Sequence, residues 1–159
     1  MLITRWRNKP SGFFVFRHEA KPRSTMQLAF EKTGGIIPAI IQDASSGDVL
    51  MLGFMNEIAF AETQRTCEVV FFSRSRNRLW KKGESSGHVL KVRDIRVDCD
   101  ADSLLIRVDP IGPGVCHEGY RSCFFRSMEN DGTIQILDPR TFDPEKIYAH
   151  ETNPQEKQR

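Results

Sequence analysis

The chain has 159 residues, 39% apolar and 28% charged, with a net charge of +2; this points to one globular domain long enough to bury a core. So small a charge does not by itself make a nucleic-acid binder, and no apolar run approaches the roughly 18 residues of a membrane span. Four cysteines are too few for a secreted disulfide framework and residues 1–25 lack the apolar core of a signal peptide, so reduced thiols in the cytosol are expected.

Residues 1–25 carry Arg5, Arg7, Lys9, Arg17, Lys21 and Arg23 against Glu19 alone. They read as a basic extension, either disordered or lying upstream of a true start at Met26; their prolines and length argue against a transit peptide. From Gly34 the pattern is β. "IIPAIIQD" and "DVLMLGF" are strands joined by the turn-forming "ASSGD". Asn56 is placed to cap a short helix reaching about Arg65, with Glu57 in its first turn. "EVVFFSRSR" reads as a third strand and "HVLKVRDIRV" as a fourth. "SLLIRV" and "SCFFRSM" follow, and "ENDG" turns the chain into "TIQIL". Residues 143–159 read as a polar tail. Many short strands, one helix and no βα alternation predict an α+β fold: one domain over residues 26–142, with a mainly antiparallel twisted sheet.

Within "RVDCDADSLLIRV", Asp98, Asp100 and Asp102 stand at alternate positions before an apolar run. On a straight strand they would share a face, with Cys99 on the other, and Asp98 and Asp102 would lie roughly 13 Å apart. One hard cation with ligand distances of roughly 2.0–2.6 Å does not bridge that gap. Either the segment bends, or the carboxylates share an ion through water and substrate. Magnesium suits them, because it keeps several waters and is often completed by phosphates; the alternative is a solvated acidic turn. A calcium-binding EF-hand loop is excluded, since Ser103 stands where it needs glycine.

Cys99, Cys116 and Cys123 are spaced C-x16-C-x6-C. No tight C-x-x-C pair marks a structural zinc site, and three ligands with an open fourth position are the arrangement of a catalytic zinc. The alternative is unrelated core thiols, but the turns of "GPGVCHEGYRSC" hold two of these cysteines near one another, with His117 alongside. Cys67 reads as a small buried hydrophobe. Three thiolates overcompensate the charge of zinc, so its water would be less acidic than at a three-histidine site and would need a neighbouring base. His117 is the candidate; an orienting role is the alternative.

"SRSRNRLWKKGESSGH" carries Arg74, Arg76, Arg78, Lys81 and Lys82 against Glu84. Alternate arginines followed by Trp80 and a Gly/Ser turn suit phosphate clamping and base stacking, or else a solvated hairpin end with a half-buried Trp.

Together "PAIIQDASSGDVLMLGFMN", "FFSRSRNRLWKKGESSGH", "VDCDADSLL" and "CHEGYRSCFFR" resemble the phosphoribosyl-AMP cyclohydrolase family of histidine biosynthesis, in that family's order over roughly residues 34–127. The resemblance implies a cytoplasmic homodimer with zinc on Cys99, Cys116 and Cys123 shared between subunits, and magnesium on Asp98, Asp100 and Asp102. It implies hydrolytic opening of the adenine ring at the C6–N1 bond of phosphoribosyl-AMP, with His117 as the proton carrier. Arg74, Arg76, Trp80, Lys82, Glu84, Ser85 and Ser86 would contact the substrate. Two positions depart from the family: Glu118 replaces a usual Thr and could alter the protonation of His117, and His88 replaces a usual Asn, so substrate preference could shift. Two rivals are a non-enzymatic zinc module binding RNA, which predicts salt-sensitive association, and a magnesium phosphohydrolase that would not need the cysteines.

Overall fold

In the computed structural model, which describes residues 26–148, the apolar alternation of IPAIIQD becomes β1 (Ile37–Asp43). Ile37, Ala39, Ile41 and Asp43 are buried, while Ile40 faces outward, the period of two expected of a strand with one covered face. The basic extension 1–25 and the end of the polar tail, from residue 149, lie outside the described residues. β1 turns into β2 (Val49–Met55) through an Asx turn. There Asp43 accepts from the Ser45 amide at 2.8 Å, the Ser45 hydroxyl at 2.6 Å and the Ser46 amide at 3.3 Å, local bonds that short polar side chains offer at turns.

The expected helix is α1 (Glu57–Thr66), one residue longer than its sequence end. The Asn56 side chain accepts from the Ala59 amide at 2.8 Å, satisfying an orphan donor of the first turn. α1 turns Ala59 and Thr63 inward, and the Thr63 hydroxyl accepts from the Val70 amide at 3.0 Å, tying the helix to β3 (Val70–Ser73). β3 pairs with β4 (Arg78–Lys81), so the basic segment contains a strand that its composition did not announce.

β5 (Leu90–Val97) and β6 (Leu104–Pro110) form the second long hairpin. The main sheet has the order β2-β1-β6-β5, with β1 and β6 parallel, Ala39 opposite Leu104 and Asp43 opposite Val108. The fold is thus α+β as expected, but its principal sheet is mixed. Two antiparallel hairpins lie side by side, and the long excursion through α1, β3 and β4 allows the parallel seam between them. Only Arg126–Met128 of "SCFFRSM" forms a strand, β7, which pairs with β8 (Ile134–Ile136). A second short helix, α2 (Pro144–Tyr148), stands within the expected tail. The core gathers Ile37, Ile41, Leu50, Met55, Phe71, Leu104 and Ile106. Gly53 is required there, because a Cβ would run into the Phe71 ring.

Candidate active site

The chain reverses between β5 and β6 at residues 98–103, with Ala101 in the left-handed region at φ 65°. The Asp98 carboxylate closes the turn, accepting from the Asp102 amide at 3.0 Å, the Ser103 amide at 3.2 Å and the Ser103 hydroxyl. This bend brings one carboxylate oxygen each of Asp98, Asp100 and Asp102 within 4.8 Å of the others, a spread that one hard cation can span. The Ser103 hydroxyl holds Asp98 below the usual carboxylate range. Asp102 is pushed up by desolvation and by the charges of Asp100 and Asp98. Lys32, on the 3-10 turn Phe30–Thr33, reaches across to Asp100, donating to its carbonyl at 2.8 Å and its carboxylate at 3.2 Å. Like charges gathered with one exposed lysine beside them fit a magnesium site.

The second centre is a compact loop. Cys116 donates its amide to the Tyr120 carbonyl at 3.0 Å, and Val115 donates to the Arg121 carbonyl at 3.1 Å. Tyr120 stacks on Phe125 with ring centroids 3.5 Å apart. Cys116 is buried, and the Cys123 sulfur, on a residue with an exposed edge, turns toward it. Burial and the neighbouring Cys116 push the Cys123 thiol up to about 12. Arg121 clamps the loop to the β1–β2 turn, at 2.6 Å from Asp43 and 2.5 Å from Asp48. The Cys123 amide donates to the Leu50 carbonyl at 2.8 Å.

Cys99 is not with this pair. It is exposed in the acidic turn, its sulfur 3.9 Å from the Asp100 carboxylate, and the three thiols do not gather within 4.8 Å. The reason lies in β1, whose Ala39 stands in register with Leu104 beside the acidic turn and whose Asp43 holds Arg121. Those ends are four residues, about 13 Å, apart. One chain therefore brings two of the three sulfurs together and sends the third elsewhere.

The basic segment borders an open groove of about 750 Å³ lined by Gly53, Phe54, Phe71, Arg74, Arg76 and Trp80 among others. Arg74 lies 3.8 Å over the Phe54 ring, and Trp80 stacks on Phe71 at 5.3 Å. Glu84 and Ser85 are exposed on the following turn, while the Ser86 hydroxyl accepts from the His88 amide at 3.2 Å. Lys82 is not on the groove: it is 5% exposed and faces Cys123 and Cys116. Burial pulls its ammonium below the usual lysine range, while the two thiols push the other way.

His88 is also buried, its Nδ1 3.0 Å from the Gly114 carbonyl and its ring edge-on to Phe142 at 4.7 Å. It braces the loop that leads to Cys116. Glu118 pairs with Arg126 at 2.7 Å, and His117 is exposed beside Cys116. Sequence reasoning missed Arg121, Asp43, Lys32 and Phe142 as supports. Arg121 and Asp43 are 78 residues apart, and no local pattern announces such a pair.

A family model described as phosphoribosyl-AMP cyclohydrolase matches residues 51–125, spanning both candidate centres and the basic segment. A phosphoribosyl-AMP cyclohydrolase of Oleidesulfovibrio alaskensis is 55% identical over 119 residues, covering 75% of this chain and 91% of the relative. This chain belongs to the phosphoribosyl-AMP cyclohydrolase family. A relative of that name from Solibacter usitatus is 52% identical over 124 residues, covering 78% of this chain and 98% of its own. One from Geotalea uraniireducens is 47% identical over 123 residues, covering 77% and 98%. The family resemblance seen in the quoted motifs is therefore correct. Among the described residues no helix is long and apolar enough to cross a membrane.

Proposed function

We propose that the chain is a homodimeric phosphoribosyl-AMP cyclohydrolase of histidine biosynthesis, dependent on zinc and magnesium, that hydrolyses the C6–N1 bond of the adenine ring. The observation that carries this reading is the pairing of Cys116 with Cys123 beside His117, with Cys99 and the acid cluster at the far end of the same sheet. When bound, zinc supplies a Lewis acid and an acidified water, and magnesium neutralises substrate phosphate. His117 takes the proton from the attacking water and returns it to N1 as the ring opens. An imidazole can both accept and return a proton, which suits both directions of transfer. Arg74 and Arg76 hold phosphate oxygens, Trp80 borders the ring, and Glu84, Ser85 and Ser86 contact the substrate.

A second copy completes the site. The outer face of the main sheet carries Leu52, Ile40 and Leu105 in register, with Leu52 44% and Ile40 36% exposed. Covering that apolar row with a twofold-related chain would bring Cys99 of the partner subunit to the thiol pair. Thiols kept reduced for metal binding suit the cytoplasm.

The test is turnover of phosphoribosyl-AMP followed by ultraviolet absorbance, with both metals and with chelator. Ring opening that stops on chelation is expected; turnover indifferent to metal removal would refute the metal assignments. His117→Ala should lower kcat by about 10²–10⁴-fold, and an unchanged kcat would remove His117 from its role.

A further inference from the structure

The thiol loop is gripped on both sides of its buried cysteine. On one side stands His88, 8% exposed. Its Nδ1 lies 3.0 Å from the Gly114 carbonyl; a carbonyl oxygen only accepts, so this nitrogen carries the hydrogen and donates it. Burying an imidazole is unfavourable unless its nitrogens are bonded, and leucine has similar bulk without that cost. The bond to Gly114 is what the ring adds. On the other side the chain beyond β8 returns as a strap. The Leu137 amide donates to the Phe125 carbonyl at 2.8 Å. The Gly119 carbonyl accepts from the Thr141 amide at 2.7 Å, the Thr141 hydroxyl at 3.1 Å and the Phe142 amide at 3.3 Å. The Phe142 ring meets His88 edge-on, with centroids 4.7 Å apart, so the two grips touch. Glycine is required beneath them: a Cβ at Gly112 would lie 2.6 Å from the His88 ring, and one at Gly119 would run into the Phe142 carbonyl.

His88 also ends the turn of Glu84, Ser85 and Ser86. The Ser86 hydroxyl accepts from the His88 amide at 3.2 Å, and the Val89 carbonyl accepts from the Ile111 amide at 2.8 Å at the foot of the loop. Cys116 and His117 lie between the gripped residues Gly114 and Gly119. His88 thus belongs to the turn by its backbone and to the loop by its side chain. Resting on the reading of that turn as a substrate contact and of His117 as the proton carrier, we propose that His88 is a positioning residue. It fixes the distance between the bound substrate and His117, with the Thr141–Phe142 strap as its counter-grip. A general base must stand within hydrogen-bond reach of the water it serves, and a misplacement of about 1 Å can cost about 10²-fold in rate. Loss of the Gly114 bond frees the loop without disturbing the turn, which closes on itself through the Gly87 amide and the Gly83 carbonyl at 2.9 Å. The effect falls on kcat and leaves KM nearly alone. Asparagine carries a side-chain N–H at the same number of bonds from Cα as Nδ1, so it restores the bond but not the contact with Phe142.

The experiment compares the full chain with His88→Leu, His88→Ala and His88→Asn, with zinc and magnesium supplied. Turnover of phosphoribosyl-AMP gives kcat and KM, and amide hydrogen exchange on the same samples reads the loop. His88→Leu should lower kcat by about 10–100-fold, with KM close to that of the wild type. The Cys116 and Gly119 amides, bonded to the Tyr120 and Cys116 carbonyls, should exchange faster, while those of β1 and β6 do not change. His88→Asn should recover most of the kcat and the slow exchange. Wild-type kcat in His88→Leu, or a kcat in His88→Asn as low as in His88→Leu, would overturn the proposal. So would a uniform rise in exchange across the sheet, or failure of both His88→Leu and His88→Ala to fold, since either makes the ring a general structural support. A folded, metal-supplied wild type that leaves phosphoribosyl-AMP intact would instead refute the reading of the site, and the positioning role with it.

Discussion

Replacing Arg121 by methionine should loosen the thiol loop from the sheet, and the structure indicates by how much. Its guanidinium lies 2.6 Å from Asp43, whose side chain is 5% exposed, and 2.5 Å from Asp48, whose side chain is 55% exposed. The Asp48 arm is largely screened by solvent and adds little. The Asp43 arm is a charge-assisted bond to a buried carboxylate, of a kind that contributes about 1.5–3 kcal/mol. Arg121 itself is 41% exposed, and Asp43 keeps its bonds from Ser45 and Ser46. The expected loss is therefore about 2 kcal/mol, or roughly 6–10 °C in Tm for a domain of this size. The pH dependence has a definite sign. Burial pushes Asp43 up, but the Ser45 and Ser46 bonds and the Arg121 charge outweigh it and leave the carboxyl below its ordinary range. A carboxylate depressed in the fold contributes stability above its unfolded pKa and loses it as pH falls through the folded value. The gap between wild type and Arg121→Met should be full near pH 7 and shrink as the pH falls through the depressed folded-state pKa of Asp43. Thermal unfolding across that range, with zinc titration at neutral pH, makes the measurement. A gap that does not change with pH would show that Arg121 acts by packing and not through Asp43.

Cys99→Ser and Cys116→Ser should each lose zinc alone. Unfolded together and refolded, they should recover about a quarter of the wild-type zinc content through random pairing into twofold dimers; no recovery would place all three donors in one chain. Asp102→Asn should raise the Tm of the metal-free protein near neutral pH by relieving the repulsion that pushes this carboxyl up, and should abolish the rise in Tm that magnesium gives the wild type. A magnesium response that survives would move the ion away from the acidic turn. Gly53→Ala should destabilise by about 1–3 kcal/mol, because its Cβ would enter the Phe71 ring in a packed core; denaturant unfolding with an unchanged midpoint would contradict that contact.

What the sequence made legible was local. β1, β2, α1, β5 and β6 follow from alternation and from the Asn56 cap, since each depends on residues near in the chain. The acid cluster was legible as chemistry but not as geometry. Nothing in "DCDAD" shows that Asp98 would fold back on the amides of Asp102 and Ser103 and turn an extended spacing into a cluster. The parallel seam of β1 with β6 was hidden because a long excursion separates the partners. Lys82 shows the hardest limit. Beside Arg74 and Arg76 it looked like one more surface cation, and only the fold shows that it is 5% exposed. α2 was missed because its five residues carry no apolar stripe and bury nothing.

The division of donors between the ends of β1 bears on how the activity is controlled. Within one chain burial and the neighbouring Cys116 push the Cys123 thiol up to about 12. A half-site of that kind competes poorly for metal, because loading must first remove that proton. Cys99, alone in its turn, offers a single sulfur. On the dimeric reading, tight zinc binding arises only where the outer face of the sheet is already covered. Metal then adds to the stability of the dimer by mass action, and the dimer in turn raises the affinity for metal. Dilution and chelation should therefore inactivate the protein together, each lowering the tolerance for the other. On that reading, exposed Leu52 and Ile40 and the separated thiols are two sides of one arrangement, in which covering the apolar row would assemble the site.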